Sequence, residues 1–482
     1  MPLRPFREYV HSLWHREGGY REVLVLAIPL IISTGAHSIQ HIVDRIFLTW
    51  YSPAAIAASF PAAMVNFSIM SLFFGTAGYV STFVAQYYGA GRYERIGPSL
   101  WQGIYVAVIG GLIHLMLIPS AGYLFGFVGH ETNVMNLEIR YFRILCLGAA
   151  PSIASSALSG FFSGRGETKP VMWVCISATC VNIVLDYALI FGNFGFPRLG
   201  ITGAAIATVI SLFFSFLVYL IMILRRFYRF RYNTIGGWRF DKVLFLRLMR
   251  FGLPNGAQFF LDVAGFTVFI LFVGRLGTVY LAATNIALNI SSLAFMPMIG
   301  VGMAVSILVG QKLGKNRPDV AERSVYTGFF ISFFYIAIIA TLYVFTPELF
   351  LAPYAAQANG QNFTLIREIA MVLLRFVAFY SLFDALNIIF AAGIKGAGDT
   401  RFVMLIIILA SSLVLVIPSY IALFVLHAHI YAGWVIFSVY MAVLGLSFMA
   451  RFLGGKWKSM RVIEKAKPSL PSTLPETPFI EL

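Results

Sequence analysis

Residues 75–95 read GTAGYVSTFVAQYYGAGRYER, and residues 300–319 read GVGMAVSILVGQKLGKNRPD. The second stretch repeats the first at an offset of 225 positions. Gly75, Val80, Ser81, Val84, Gln86, Gly89 and Arg92 recur, without a gap, as Gly300, Val305, Ser306, Val309, Gln311, Gly314 and Arg317. The same offset joins Pro29 to Pro254. Further on, Gly164-Arg165-Gly166-Glu167-Thr168 recurs as Gly396-Ala397-Gly398-Asp399-Thr400 at an offset of 232, so seven extra residues fall in the loop region around 353–360. The chain is a duplication, and the fold must place the two copies in equivalent settings.

What is duplicated is apolar. Of 482 residues, 59% are hydrophobic and 11% charged, and the mean hydropathy is +0.82. Long apolar runs parted by short polar loops exclude a soluble globular domain and predict an all-α polytopic membrane protein. Twelve spans fit: 24–48, 55–88, 99–126, 136–163, 169–192, 201–225, 246–274, 280–312, 323–346, 366–395, 402–426 and 430–452. The first is expected to be an uncleaved span, because no small-residue cleavage site follows a short apolar region. Six spans per copy is an even number, so both copies insert the same way up. They are then related by a pseudo-two-fold axis along the membrane normal, with a substrate site between them. This gives an N-terminal lobe at 1–235, a C-terminal lobe at 236–455 and a cytoplasmic tail at 456–482. Cys146, Cys175 and Cys180 have no disulfide or metal-ligand spacing.

The net charge of +15 does not point to nucleic acid. Twenty-eight of the 35 Lys and Arg fall in the termini and even-numbered loops, which predicts a plasma (inner) membrane protein with both termini cytoplasmic.

The chemistry lies in carboxylates at membrane depth. Asp44, Asp186, Asp262 and Asp384 fall inside spans, where an acid needs a partner, water or a cation and marks an ion or proton pathway. In the first span, His37, Gln40, His41 and Asp44 sit at i, i+3, i+4 and i+7 and share one helical face. The two histidines and Gln40 are candidates for a proton relay to Asp44. Asn182 lies one turn before Asp186. Amide and carboxylate oxygens suit Na⁺, or a hydrogen bond to a protonated acid, and Thr208 is a weaker third contributor. In the second copy, Asp262 aligns with His37 rather than with Asp44, while Tyr380 and Asn387 flank Asp384 at i−4 and i+3. Arg45 and Arg375 raise the question of buried ion pairing with these acids. GRGETKP and GAGDTR lack the ending and the preceding strand of a phosphate loop, and are expected to end one helix and cap the next. No HExxH, GxSxG or nucleophile–His–acid set indicates an enzyme.

These residues resemble the MATE (multidrug and toxic compound extrusion) transporters over roughly 22–455. VDRIFL, the two repeated stretches, GRGETKP, VNIVLDYALIFG and GIKGAGDTR carry the likeness in their order and spacing. The resemblance implies an antiporter that exports organic cations or related amphiphiles in exchange for H⁺ or Na⁺, working as a monomer on small-molecule substrates, with no cofactor. By position it implies a first-half cation site at Asp44, Asn182 and Asp186, and a second-half acidic site at Asp262, Tyr380 and Asp384. In the family the residue after the first-span Asp is small and polar and one subgroup has Glu on span seven. Here Arg45 and Asp262 stand there, and the choice of coupling ion stays open. The other reading is a lipid-linked oligosaccharide flippase of the same superfamily, which would need a basic central cavity.

Overall fold

The computed structural model describes residues 11–126, 131–355 and 362–464. Among them every regular element is helical. We number the long helices α1 Tyr20–Tyr51, α2 Pro53–Gly89, α3 Tyr93–Leu117, α4 Thr132–Leu147 with Ala149–Gly164, α5 Thr168–Phe191, α6 Ile201–Ile223, α7 Lys242–Arg275, α8 Thr278–Gly314, α9 Pro318–Phe345, α10 Asn362–Ala397, α11 Thr400–Val425 and α12 Ile430–Leu453. Eleven are long and apolar enough to cross a membrane alone. The twelfth, α4, is two segments bent by 43° that are long and apolar enough only when taken together. The third span is shorter than expected from 99–126. It stops at Leu117, and a separate short helix covers Ala121–Gly126, because Pro119 has no N–H to extend the ladder.

The helix packing repeats with a period of six. α1 packs on α5 as α7 packs on α11. The pairs α2–α4, α3–α4 and α4–α6 have their equivalents in α8–α10, α9–α10 and α10–α12. Between the lobes, α2 packs on α7 and α8 packs on α1, which is the exchange a two-fold axis requires. Single residues obey it. A Cβ on Gly75 would lie 2.9 Å from the Gly256 Cα, and one on Gly300 would lie 2.9 Å from the Ile31 Cα. Subtracting 225 from Gly256 gives Ile31. Small residues at such crossings let helix backbones approach where lipid leaves little hydrophobic drive for association.

The lobes meet tightly at the end that carries the termini. There the last turns of α2 and α8 cross, with the Gly89 Cβ position 2.0 Å from the Gln311 carbonyl oxygen and the Gly314 position 2.3 Å from that of Gln86. Each terminus clamps the opposite lobe. Glu17 and Glu22 bind Lys312 at 3.0 and 2.8 Å, and Thr327 donates to the Gly18 carbonyl. At the other end of the chain, residues 456–464 fold back, with Trp457 and Val462 fully buried. Glu464 takes hydrogen bonds from Tyr87 and Arg92 and lies 3.4 Å from Arg95 and 3.6 Å from Arg247. The first part of the expected tail is therefore a packed strap, and 465–482 lie outside the described residues. So do 356–361, within the loop that carries the seven extra positions.

GRGETKP and GAGDTR end their helices through Gly166 at φ +88° and Gly398 at φ +116°, conformations that glycine adopts without strain. The acids that follow do not cap. Glu167 pairs with Arg165 at 2.9 Å, and Asp399 with Arg451 at 2.7 Å. Arg165 is sealed among Phe161, Phe162, Tyr228 and Tyr232, with ring centroids 4.1–5.3 Å away. That cation–π cage fastens the interlobe segment to α4.

Candidate functional site

α1 and α5 run parallel and in register. Cys175 donates to the Ser33 carbonyl at 3.4 Å, and Thr179 to the Ala36 carbonyl at 3.4 Å. Two turns further the same register brings Asp186 to Asp44, and their carboxyl groups are in direct side-chain contact. Asn182, one turn back and level with the buried Gln40, is fully buried, as is Asp186. Tyr141 of α4 is buried within electrostatic reach of both acids.

Five polar atoms in this cluster have no hydrogen-bond partner: both side-chain atoms of Asn182, both carboxyl oxygens of Asp186 and Asp44 Oδ1. At membrane depth such atoms are expensive to leave bare. Two facing carboxyls can share one proton or hold one monovalent cation between them. The Asn182 carbonyl would complete with them an all-oxygen donor set, the chemistry that suits a small hard cation. Among the described residues no group of three or more His, Cys, Asp and Glu is placed to hold a metal ion.

The other first-lobe candidates divide. On α1 one exposed stripe, Ile28, Ile32, Ile39, Ile42 and Ile46, is wholly apolar. His37 and His41 are exposed on the opposite side, with Asp44 half-buried beside them. Helical periodicity thus sets the histidine face away from the lipid-like stripe. Gln40 points instead toward the buried side. Thr208 turns its hydroxyl back onto the Ala204 carbonyl of its own helix at 3.0 Å. Arg45 stacks over Phe60 of α2, 5.1 Å from the ring centroid, within electrostatic reach of Asp44.

The second lobe builds a different cluster. Asp384 on α10 is buried, with the Asn387 side chain close to its carboxyl. Tyr380, one turn back, shares a 2.9 Å hydrogen bond with Ser291 of α8. Asp262 on α7 accepts from Gln258 at 3.3 Å. It lies within electrostatic reach of Asp384, of Tyr440 on α12 and of Lys395. Tyr440 is held 3.1 Å from Ser411, where α11 widens into a π-helical segment, a distortion frequent at functional sites. The two lobes thus carry one geminate acid pair and one dispersed acid pair.

Three residues have settings that sequence reasoning passed over. Tyr141 had no signal beyond a tyrosine in an apolar run. Lys395 looked like one of the loop cations, although it sits inside FAAGIKGAG. Glu138 looked like a span-end residue, yet it is fully buried in the second turn of α4.

A family model described as MatE matches residues 29–188 and 254–421, the same segment of each repeat. The chain is 29% identical over 396 residues to a probable multidrug resistance protein NorM of Bradyrhizobium diazoefficiens, covering 81% of this chain and 84% of that one. It is likewise 29% identical to the multidrug resistance protein PmpM of Pseudomonas aeruginosa, with 81% of each chain covered. Among solved structures, an outward-facing multidrug resistance MATE family transporter of the MOP superfamily superposes with a TM-score of 0.82 at 21% identity, over 93% of this chain and 98% of that one. The eukaryotic MATE transporter AtDTX14 superposes with a TM-score of 0.79 at 18% identity, over 91% of this chain and 96% of that one.

Proposed function

Because the chain belongs to the MatE family of membrane transporters, we propose that it is a cation-coupled antiporter, exporting organic cations and amphiphilic drugs in exchange for H⁺ or Na⁺. The observation that carries this reading is the Asp44–Asp186 contact, with its bare oxygens and the buried Asn182 amide. A carboxyl pair that can hold one proton or one cation exchanges one for the other, and that competition couples two fluxes. His37 and His41 pass protons between the cavity and Asp44. Asp262 and Asp384, with Tyr380 and Asn387, bind the cationic part of the substrate in the second lobe. The protein acts as a monomer of lobes 1–235 and 236–455, in the plasma (inner) membrane, with both termini cytoplasmic.

Alternating access follows from the closure at the termini-bearing end. Opening there must part the α2–α8 crossing and the two terminal clamps. The flippase reading is disfavoured because the clusters at membrane depth are acidic, whereas a diphosphate headgroup would need several cations.

The test is drug efflux from proteoliposomes, driven separately by a pH gradient and by a Na⁺ gradient. Asp44→Asn and Asp186→Asn should each abolish efflux under whichever gradient drives the wild type, with expression intact. Wild-type efflux by both variants would sink the first-lobe mechanism. Asp384→Asn should weaken drug binding while leaving ion binding in place.

A further inference from the structure

Arg375 lies on α10, 13 positions into a helix that begins at Asn362. It is exposed, and its side chain lines a groove with Val372, Phe376 and Phe379 of α10 and Val435, Ser438 and Val439 of α12. The α12 residues place the groove at a depth. They come five to nine residues after Ile430, or roughly 7–13 Å down that helix at 1.5 Å per residue. Tyr431 stacks on Phe376 and the buried Trp434 tilts against it, closing the groove at the α12 N-terminal end. The groove opens outward, because Val435, Val439, Leu446 and Leu453 make the exposed apolar stripe of α12.

An arginine there needs an anion. The internal duplication shows what the position does when the protein supplies an acceptor. At the offset of 232, Arg375 corresponds to Arg143 of α4. Arg143 donates its Nε–H to the Ile118 carbonyl at 3.3 Å, beside Pro119. Arg375 has neither a hydrogen bond nor an ion pair among the described residues: Asp384 lies nine residues further along α10, Asp262 is on α7, and the exposed Glu368, seven residues back, forms no ion pair with it. Its stem covers apolar surface while its guanidinium can rise toward the interface. Guanidinium binds phosphate oxygens through paired N–H groups.

We propose that Arg375 and the α10–α12 groove form a binding site for an anionic glycerophospholipid from the leaflet opposite the chain termini. The phosphodiester binds the guanidinium, and one acyl chain runs down the groove past Phe379 and Val439. A headgroup bearing its own cation would place that charge beside Arg375, so phosphatidylglycerol should bind more tightly than phosphatidylcholine.

The experiment is native mass spectrometry of the full-length protein, delipidated in detergent and titrated with phosphatidylglycerol or phosphatidylcholine of matched chains. Wild type should retain phosphatidylglycerol about fivefold more than Arg375→Gln does, the scale of one basic residue against an anionic lipid. Arg375→Lys should keep most of the binding, and Arg143→Gln all of it. Val439→Trp, which fills the groove but keeps the charge, should lose it. Equal retention by wild type and Arg375→Gln, equal binding of the two lipids, or binding that survives Val439→Trp would each overturn the site. Displacement by inorganic phosphate alone would show a bare anion site and overturn the lipid assignment. The readout is lipid occupancy, so it stands apart from the outcome of the transport assay.

Discussion

Gln86 and Gln311 make the same bond in opposite directions. Gln86 Nε2 donates to the Gly396 carbonyl at 3.0 Å, and Gln311 Nε2 donates to the Gly164 carbonyl at 2.9 Å. Each glutamine reaches from its own lobe into the glycine that ends the fourth span of the other. The two bonds lock the termini-bearing end shut, and Gln86 makes further contacts: its Nε2 also reaches the Ala397 carbonyl at 3.4 Å. Gln86 also accepts from the Val462 N–H at 2.8 Å, so it ties down the C-terminal strap as well.

Replacing either glutamine by leucine should therefore weaken the closure by unequal amounts. Gln311→Leu removes one neutral hydrogen bond, about 1 kcal/mol. Gln86→Leu also strands the buried Val462 N–H and should approach about 3 kcal/mol. Reactivity of single cysteines placed on the last turns of α2 and α8 reports the opening, with Gln86→Leu expected to be the more reactive background. The reverse order would show that the strap does not share the lock.

The glycine crossing gives a sharper perturbation. Gly89→Ala or Gly314→Ala would push a methyl to within 2.0 or 2.3 Å of a backbone oxygen across the lobe boundary, and backbone cannot yield as a side chain tip does. The lobes must part or the helices must shift. We expect the same cysteine probes to become reactive in both variants and drug efflux to fall. Gly91→Ala is the control. It has open space around it but sits at φ +71°, so its penalty should be local strain of roughly 1 kcal/mol with the closure intact.

Asp44→Asn should trade function for stability. It replaces a contact between two like carboxyls by one in which the amide can donate to Asp186. Thermal melts at pH 8 are expected to rise by about 2 °C or more, while cation-driven efflux is lost. A lowered melting temperature would mean that the pair is a structural element and not an exchange site.

The strap has a pH dependence with a definite sign. Burial pushes the Glu464 carboxyl up, but the Tyr87 hydroxyl and the Arg92 and Arg95 guanidiniums outweigh it and hold the group below its ordinary 4.5. A depressed folded pKa stabilises above the ordinary value and loses that stabilisation as pH falls through the lowered one. Closure should be flat from pH 6 to 8 and loosen only in acid. Glu464→Gln should loosen it at pH 7 to about the extent that acid loosens the wild type. Strong pH dependence between 6 and 8 in the closure of Glu464→Gln would place the sensing elsewhere.

The duplicated segments and the helix count were legible because each is periodic, whereas the convergence of Asp44 and Asp186 was open from the residues alone and was implied by the family resemblance. An offset of 225 and the α-helical repeat fix which residues face each other. What was hidden depended on rotation and on the chain ends. Gln40 shares a nominal face with His37 and Asp44, but at 3.6 residues per turn it stands about 60° round the helix from His37 and about 40° from Asp44, enough to turn it to the buried side. Glu167 and Asp399 carry the sequence marks of caps, yet an arginine in reach of each claims the carboxylate first. Glu464 gave no signal, since its partners are hundreds of positions away. Arg45, adjacent to Asp44, is accounted for by Phe60, a ring on a neighbouring helix that one helix's periodicity does not reveal.

The closure has a consequence for ancestry. Because Gln86 and Gln311 meet equivalent glycines, two identical six-helix chains could make the same contact with each other. It is self-complementary, the form of a symmetric dimer interface. The terminal clamps are where the symmetry fails. Lys312 finds Glu22 on α1, but the matching positions, Tyr87 and Arg247, bring no acid, and Glu464 supplies it from beyond the last helix. A fused gene can hang such a strap on one copy only. The strap thus marks where two once-interchangeable halves became a first and a second.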